Sequence, residues 1–127
     1  MKRNLRYWSI FTLIIAGLIA PPFLFKLIVL NAPSASPQKV ETVLANTGIK
    51  SILIDVRSKN EFQKLNLKRS VNIPLEEISS PPTVEIIKGK EVIFVICNFG
   101  PASSLATKKL RGLGFSGAFY VAGGPDS

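Results

Sequence analysis

The sequence predicts an α/β domain with a mainly parallel sheet flanked by helices. Three observations point to it. From about Gln38 onward, segments with helical and strand-like patterning alternate, as they do when parallel strands are joined by crossover helices. Residues 51–56 (SILIDV) and 91–96 (EVIFVI) are short, nearly continuous apolar runs, the pattern of strands covered on both faces. Breaker residues such as Asn46-Thr47-Gly48 punctuate the alternation.

Before that pattern begins, residues 7–25 (YWSIFTLIIAGLIAPPFLF) carry no formal charge. As a helix they would reach roughly 28 Å at ~1.5 Å per residue, about the thickness of a hydrocarbon core. Tyr7 and Trp8 stand where interfacial aromatics are placed, just after Lys2, Arg3 and Arg6. A cleaved signal segment would need a small-residue cleavage site. The nearest, Ala32-Pro33-Ser34, is spoiled by Pro33, so an uncleaved single-pass transmembrane helix is the preferred reading. Pro21-Pro22 predicts a kink or break within it, and a re-entrant hairpin is the alternative. Three bases precede the run, and Lys26 and Lys39 follow it. That bias sets the N-terminus inside and the rest of the chain on the extracytoplasmic side. Membrane lipid is then an expected partner, and a membrane protein a further one. Residues 31–37 (NAPSASP) read as a short extended linker that buries nothing. The expected division is residues 1–30 as anchor or signal segment, 31–37 as linker and 38–127 as the α/β domain.

Within that domain Val40, Val43 and Leu44 share one helical face, and Asn46-Thr47-Gly48 ends the helix. The strand at residues 51–56 follows, then a short helix over 61–65 and an extended piece at 71–74. Residues 75–78 lead to the breaker Ser79-Ser80-Pro81-Pro82. The strongest strand is residues 91–96. Residues 103–113 are helical, with Leu105, Ala106, Leu110 and Leu113 toward the core, and residues 118–121 form a last strand.

Composition removes several kinds of chemistry. At 127 residues the chain has the length of one ordinary domain, and it contains no histidine. A Ser-His-Asp triad, a His-ligated zinc and a histidine proton shuttle are excluded. Cys97 is the single cysteine, which excludes an internal disulfide, a Cys-x-x-Cys redox pair and a cysteine-rich metal site. No metal and no cofactor is expected. Residues 1–30 contribute +4 of the net charge of +8, and the charges after them are scattered apart from Lys108, Lys109 and Arg111, with no basic stripe interleaved with aromatics, so nucleic acid is not an expected partner.

Cys97 closes the apolar run at the carboxyl end of its strand, the edge of a parallel sheet where ligands bind. Gly100 permits a tight turn, and Pro101 suits the first position of a helix. Such a loop directs backbone amides and a helix N-terminus at the sulfur, and their partial positive charge favours thiolate over thiol. The other reading is a cysteine that completes the core. Asp55 and Arg57 leave a neighbouring strand at the same edge. As a functional pair they would line the rim of the site; as a structural pair they would tie adjacent loops. Glu61 reads as an acid at a helix N-terminus or a partner for a nearby base, not as a catalytic group.

Two other motifs do not fit their chemistry. Gly112-Leu113-Gly114-Phe115-Ser116-Gly117 has the dinucleotide spacing G-x-G-x-x-G, but it leads from a helix into a strand, the reverse of the order required. A cysteine phosphatase needs an arginine six residues after its nucleophile, where Ser103 stands.

Asp55-Val56-Arg57 with Glu61-Phe62, then Val71-Asn72-Ile73-Pro74-Leu75, resembles the first half of a rhodanese domain. The Cys97 loop, Gly114-Phe115 and Gly123-Gly124 resemble its second half in order and spacing. The resemblance covers about residues 38–124. It implies a sulfurtransferase, membrane-anchored if the run at 7–25 is an anchor, in which Cys97 takes a sulfane sulfur from a small donor, forms a persulfide and passes it to a thiophilic acceptor. It further implies that the loop amides of Asn98, Phe99, Gly100, Ala102 and Ser103, with Pro101 shaping the turn, cradle the transferred sulfur. Many rhodanese loops carry an arginine at the position of Ala102, which implies weak use of thiosulfate. Leu65-Asn66-Leu67 replaces the usual Gly-His-Ile, and Arg69 replaces a glycine, changes expected to affect the loop path more than the chemistry. The family continues into a further helix beyond Gly124-Pro125-Asp126-Ser127, so a fragment, or a partner filling the gap, is expected. A catalytically silent fold serving as a membrane-tethered interaction module is the alternative function, and a redox-sensing thiol a third.

Overall fold

The computed structural model describes residues 32–123. The charge-free run at 7–25 and residues 124–127 lie outside them, and so do the readings of an anchor, a signal segment and a missing last helix. Among the described residues no helix is long and apolar enough to cross a membrane.

In chain order the elements are β1 (Ser34–Ala35), α1 (Pro37–Ala45), β2 (Ser51–Asp55), α2 (Lys59–Lys64), β3 (Ser70–Asn72), a 3-10 turn (Leu75–Glu77), α3 (Pro81–Ile87), β4 (Val92–Ile96), α4 (Pro101–Gly112) and β5 (Ala118–Val121). The strands form one five-stranded sheet in the order β1-β5-β4-β2-β3, with every pairing parallel. Successive side chains of a strand point to opposite faces, so the apolar runs of β2 and β4 build two cores at once. Ile54, Ile93, Val95 and Cys97 pack with Ile87 of α3 and with Ala106 and Leu110 of α4. Leu53, Phe94 and Ile96 pack on the other face with Val40 of α1, Ala35 and Val121. β4 is the centre of the sheet, and Cys97 follows its last residue on the α4 side.

The helix starts share a device that reads ambiguously in sequence. Ser36 and Ser80 are N-caps, their hydroxyls accepting from the N–H groups of Lys39 and Thr83, and each is followed by proline at the start of its helix. Proline is tolerated there because the first N–H groups of a helix have no intrahelical partner. Ser79-Ser80-Pro81-Pro82 is therefore the start of α3, not only a breaker. The expected linker at 31–37 is corrected in the same way: Ser34–Ala35 pairs with β5, Ala35 and Ala32 are buried, and α1 begins at Pro37. Two further expectations fail on α4. Leu105 and Leu113 are 40% and 49% exposed, because the buried stripe runs through Ser103, Ala106, Thr107 and Leu110 at helical spacing.

Two backbone positions stand out. Arg69 has φ 70°, so it keeps the left-handed conformation that a glycine would occupy, and its guanidinium donates to the Leu44 carbonyl. Gly117 lies so close to β4 that a Cβ would stand 1.9 Å from the Glu91 carbonyl oxygen. Ile93 N–H also donates to the Gly117 carbonyl, tying the entry of β5 against the centre of the sheet.

Candidate active site

Register places the site. Asp55 pairs with Ile96, and Val56 N–H donates to the Ile96 carbonyl at 3.0 Å, so the segments leaving β2 and β4 run side by side. Cys97 and Asn98 therefore face Val56 and Arg57 across the carboxyl edge of the sheet. After Cys97 the chain reverses at Gly100, whose φ of 96° is a conformation that side chains with a Cβ resist, and α4 begins at Pro101.

The reversal wraps the backbone around the sulfur. Gly100 N–H donates to Cys97 Sγ at 3.0 Å and Ser103 N–H donates to it at 3.3 Å. The thiol donates to Ser103 Oγ at 3.3 Å, and that hydroxyl donates to the Gly100 carbonyl at 2.9 Å. Two fixed amide donors thus converge on one atom, an arrangement that accepts negative charge there without any side-chain base. Cys97 is only 4% exposed, yet it lines a cleft of about 360 Å³ with Val56, Arg57, Ser58, Glu61, Leu75, Asn98, Phe99, Pro101 and Ala102. The cysteine fits both expectations, packing with the core below and contributing to the cleft above.

The loop residues divide by task. Asn98, Phe99, Pro101 and Ala102 form cleft wall, while Gly100 and Ser103 supply the amides at the sulfur. Phe99 is 91% exposed.

Asp55 is fully buried and is not among the residues that line the cleft, so of its two readings the geometry matches the structural one and not the rim. Its carboxylate accepts from Arg57 Nε at 3.0 and 3.1 Å, from Nη2 at 2.6 Å and from the Arg57 backbone N–H at 3.0 Å. Burying an ion pair is costly, and this two-point geometry offsets much of that cost. Arg57 also donates to the Leu65 carbonyl at 2.6 Å and to Asn98 Oδ1 at 3.3 Å. The pair ties loops together, and only Arg57 reaches the cleft.

Glu61 and Asn98 are the parts of the site whose joint position sequence reasoning missed. Ser58 and Glu61 form a capping box at the start of α2, with Glu61 Oε2 accepting from Ser58 N–H at 3.1 Å and from its hydroxyl at 2.6 Å. Glu61 Oε1 accepts from Asn98 Nδ2 at 2.9 Å, so one amide bridges from the cysteine loop to α2. The Ser58 hydroxyl above all, then the Ser58 N–H and Asn98, hold the Glu61 carboxyl below its ordinary pKa, with a smaller contribution from the Arg57 charge. The Ser58-x-x-Glu61 spacing is legible as a capping box. Its contact with Asn98 depends on strand register and has no local signal. Among the described residues no group of three or more potential metal ligands is gathered.

Residues 36–127 match the family model described as a rhodanese-like domain. Over 72 residues the chain is 39% identical to the adenylyltransferase and sulfurtransferase uba4 of Ogataea parapolymorpha, covering 57% of this chain and 18% of that protein. It is 35% identical over 98 residues to the protein of the same name from Candida albicans, covering 72% of this chain and 22% of that one. The chain thus spans about a fifth of the length of these curated relatives. Among solved structures, the human single domain sulfurtransferase TSTD1 superposes with a TM-score of 0.63 at 27% identity, covering 76% of this chain and 94% of that one. A rhodanese with anions from E. coli superposes with a TM-score of 0.53 at 28% identity, covering 60% of this chain and 88% of that one.

Proposed function

The chain belongs to the rhodanese-like family, and from that premise we propose that it is a sulfurtransferase working through a Cys97 persulfide. One observation carries the reading: the Gly100 and Ser103 N–H groups converge on a sulfur that lines an open cleft. In the first half-reaction the Cys97 thiolate attacks the outer sulfur of a donor such as thiosulfate. A new S–S bond forms as the donor's own S–S bond breaks, and sulfite leaves with the electron pair. The persulfide that remains keeps one negative charge within reach of the loop amides. The Ser103 hydroxyl, directed at the Gly100 carbonyl, is placed to turn toward a sulfur anion as a further donor. In the second half-reaction a thiophilic acceptor attacks the terminal sulfur, and Cys97 leaves as thiolate.

The test is turnover. With thiosulfate and cyanide the protein is expected to form thiocyanate, and Cys97→Ser to form none while remaining folded by circular dichroism. Turnover that survives Cys97→Ser would refute the role of this sulfur. Ala102 favours a second reading, a catalytically silent interaction module, because it puts a methyl group on the cleft wall and no cation. A folded wild-type protein that turns over no donor, in a cell whose phenotype tolerates Cys97→Ser, supports that second reading.

Tethering belongs to the same proposal. The charge-free run at 7–25 and the bases before it support a single-pass anchor with the domain on the extracytoplasmic side, beside lipid and any membrane protein acceptor. In sealed inside-out vesicles the domain is then expected to resist added protease until detergent opens them. Digestion without detergent would reverse the orientation, and recovery of the domain in the soluble fraction would remove the anchor.

A further inference from the structure

The cleft beside Cys97 has a charge pattern that bears on which donor it takes. Two of its lining residues are formally charged, Arg57 and Glu61. The Arg57 guanidinium lies against the Asp55 carboxylate at 2.6 Å, which offsets much of its field, and what remains acts weakly on Glu61. Glu61 is different. Its hydrogen-bond donors are neutral, the Ser58 N–H and hydroxyl and the Asn98 amide, and among the described residues it forms no ion pair. The Asn98 bond fixes that carboxylate against the loop that holds the sulfur. Val56, Leu75, Phe99 and Ala102 make the nearby wall apolar, and the Phe99 ring stands open to solvent. A compact dianion entering here meets the Glu61 carboxylate and an apolar wall beside the offset Arg57 charge and the amides at the sulfur.

We infer that Glu61 is a specificity-determining residue: it disfavours dianionic donors such as thiosulfate and leaves the site to singly charged sulfane donors bearing an apolar group. The inference rests on the reading of Cys97 as the sulfur-carrying nucleophile. Benzenethiosulfonate is the simplest such donor. The Cys97 thiolate attacks its outer sulfur, the bond from that sulfur to the sulfonyl sulfur breaks, and benzenesulfinate leaves with the electron pair. Two negative charges enter the step and two leave it, one on the persulfide and one on the sulfinate. The ring packs against the apolar wall while the single charge stays near the loop amides.

The experiment measures single-turnover loading of Cys97, read by mass, in the full chain and in Glu61→Gln. Glutamine also serves at this position of a capping box, so the start of α2 is retained. Thiosulfate loading is expected to rise about tenfold in the variant and benzenethiosulfonate loading about threefold, since the repulsion scales with donor charge. The gap between variant and wild type should close as salt is raised to about 0.5 M. Wild type alone gives a second measure: a 4-carboxy group on the benzenethiosulfonate adds one charge at constant reactive chemistry and should slow loading about threefold. An unchanged donor ratio in Glu61→Gln, a gap insensitive to salt, or equal loading by the two aryl donors in wild type overturns the inference and leaves the Cys97 reading standing. Loading by no donor in either protein overturns both.

Discussion

A single sulfur carries the proposed chemistry, and backbone amides, not a side-chain base, surround it. That follows from composition, because a chain with one cysteine and no histidine has no other means of placing positive charge around a thiolate without committing a lysine or arginine. The same reasoning assigns a role to the missing cation at position 102. Ala102 lines the cleft in the first turn of α4, so Ala102→Arg should add a clamp facing the incoming donor. We expect kcat/KM with thiosulfate to rise about tenfold, the factor that one charge-assisted hydrogen bond worth about 1.4 kcal/mol would give. Unchanged or lower kcat/KM would show that position 102 is not presented to the donor. Cys97 and its loop were legible residue by residue, since strand end, glycine, proline and helix start follow one another in sequence. The Asp55–Arg57 pair was legible only as a pair. Whether it faced the cleft or the core depended on where β2 ends: Asp55 is its last residue and fully buried, and Arg57, two residues further on, reaches the cleft.

At the scale of elements, the loop between β4 and α4 depends on one backbone conformation. Gly100 has φ 96° and caps α4 without a side chain, while its N–H reaches the sulfur. A Cβ there meets no neighbouring atom, so the cost of substitution is conformational and not steric. Gly100→Ala is expected to lower unfolding stability by about 1–2 kcal/mol. It should also slow sulfur loading more than the stability loss explains, because the amide is displaced from Sγ. Denaturant midpoints and single-turnover loading check the two parts separately, and an unchanged loading rate would contradict the role given to this amide. The long central elements were legible because β2 and β4 are buried on both faces and read as apolar runs. β1 was not, since two residues show no period, and Ser-Pro sequences serve as turns and helix starts alike. On α4 the apolar residues misled: Ser103 and Thr107 are buried, and Leu105 and Leu113 lie outside the packed stripe.

For the molecule as a whole, the all-parallel order β1-β5-β4-β2-β3 is what brings distant segments to one edge. β4 lies between β2 and β5, so the cysteine loop stands next to Arg57, Ser58 and the first turn of α2, which carries Glu61. Fold class was readable from alternation alone, whereas strand order and the Glu61–Asn98 contact across it required the register. The segment at residues 65–69 leaves this frame intact, with Arg69 in the left-handed conformation that favours glycine. Function at this scale reduces to whether Cys97 can hold a second sulfur. The most direct measurement is the intact mass of the purified chain after exposure to thiosulfate or benzenethiosulfonate. The account predicts an addition of about 32 Da that cyanide removes and that Cys97→Ser lacks. An unaltered mass with every sulfane donor, in a protein that remains folded, would contradict it.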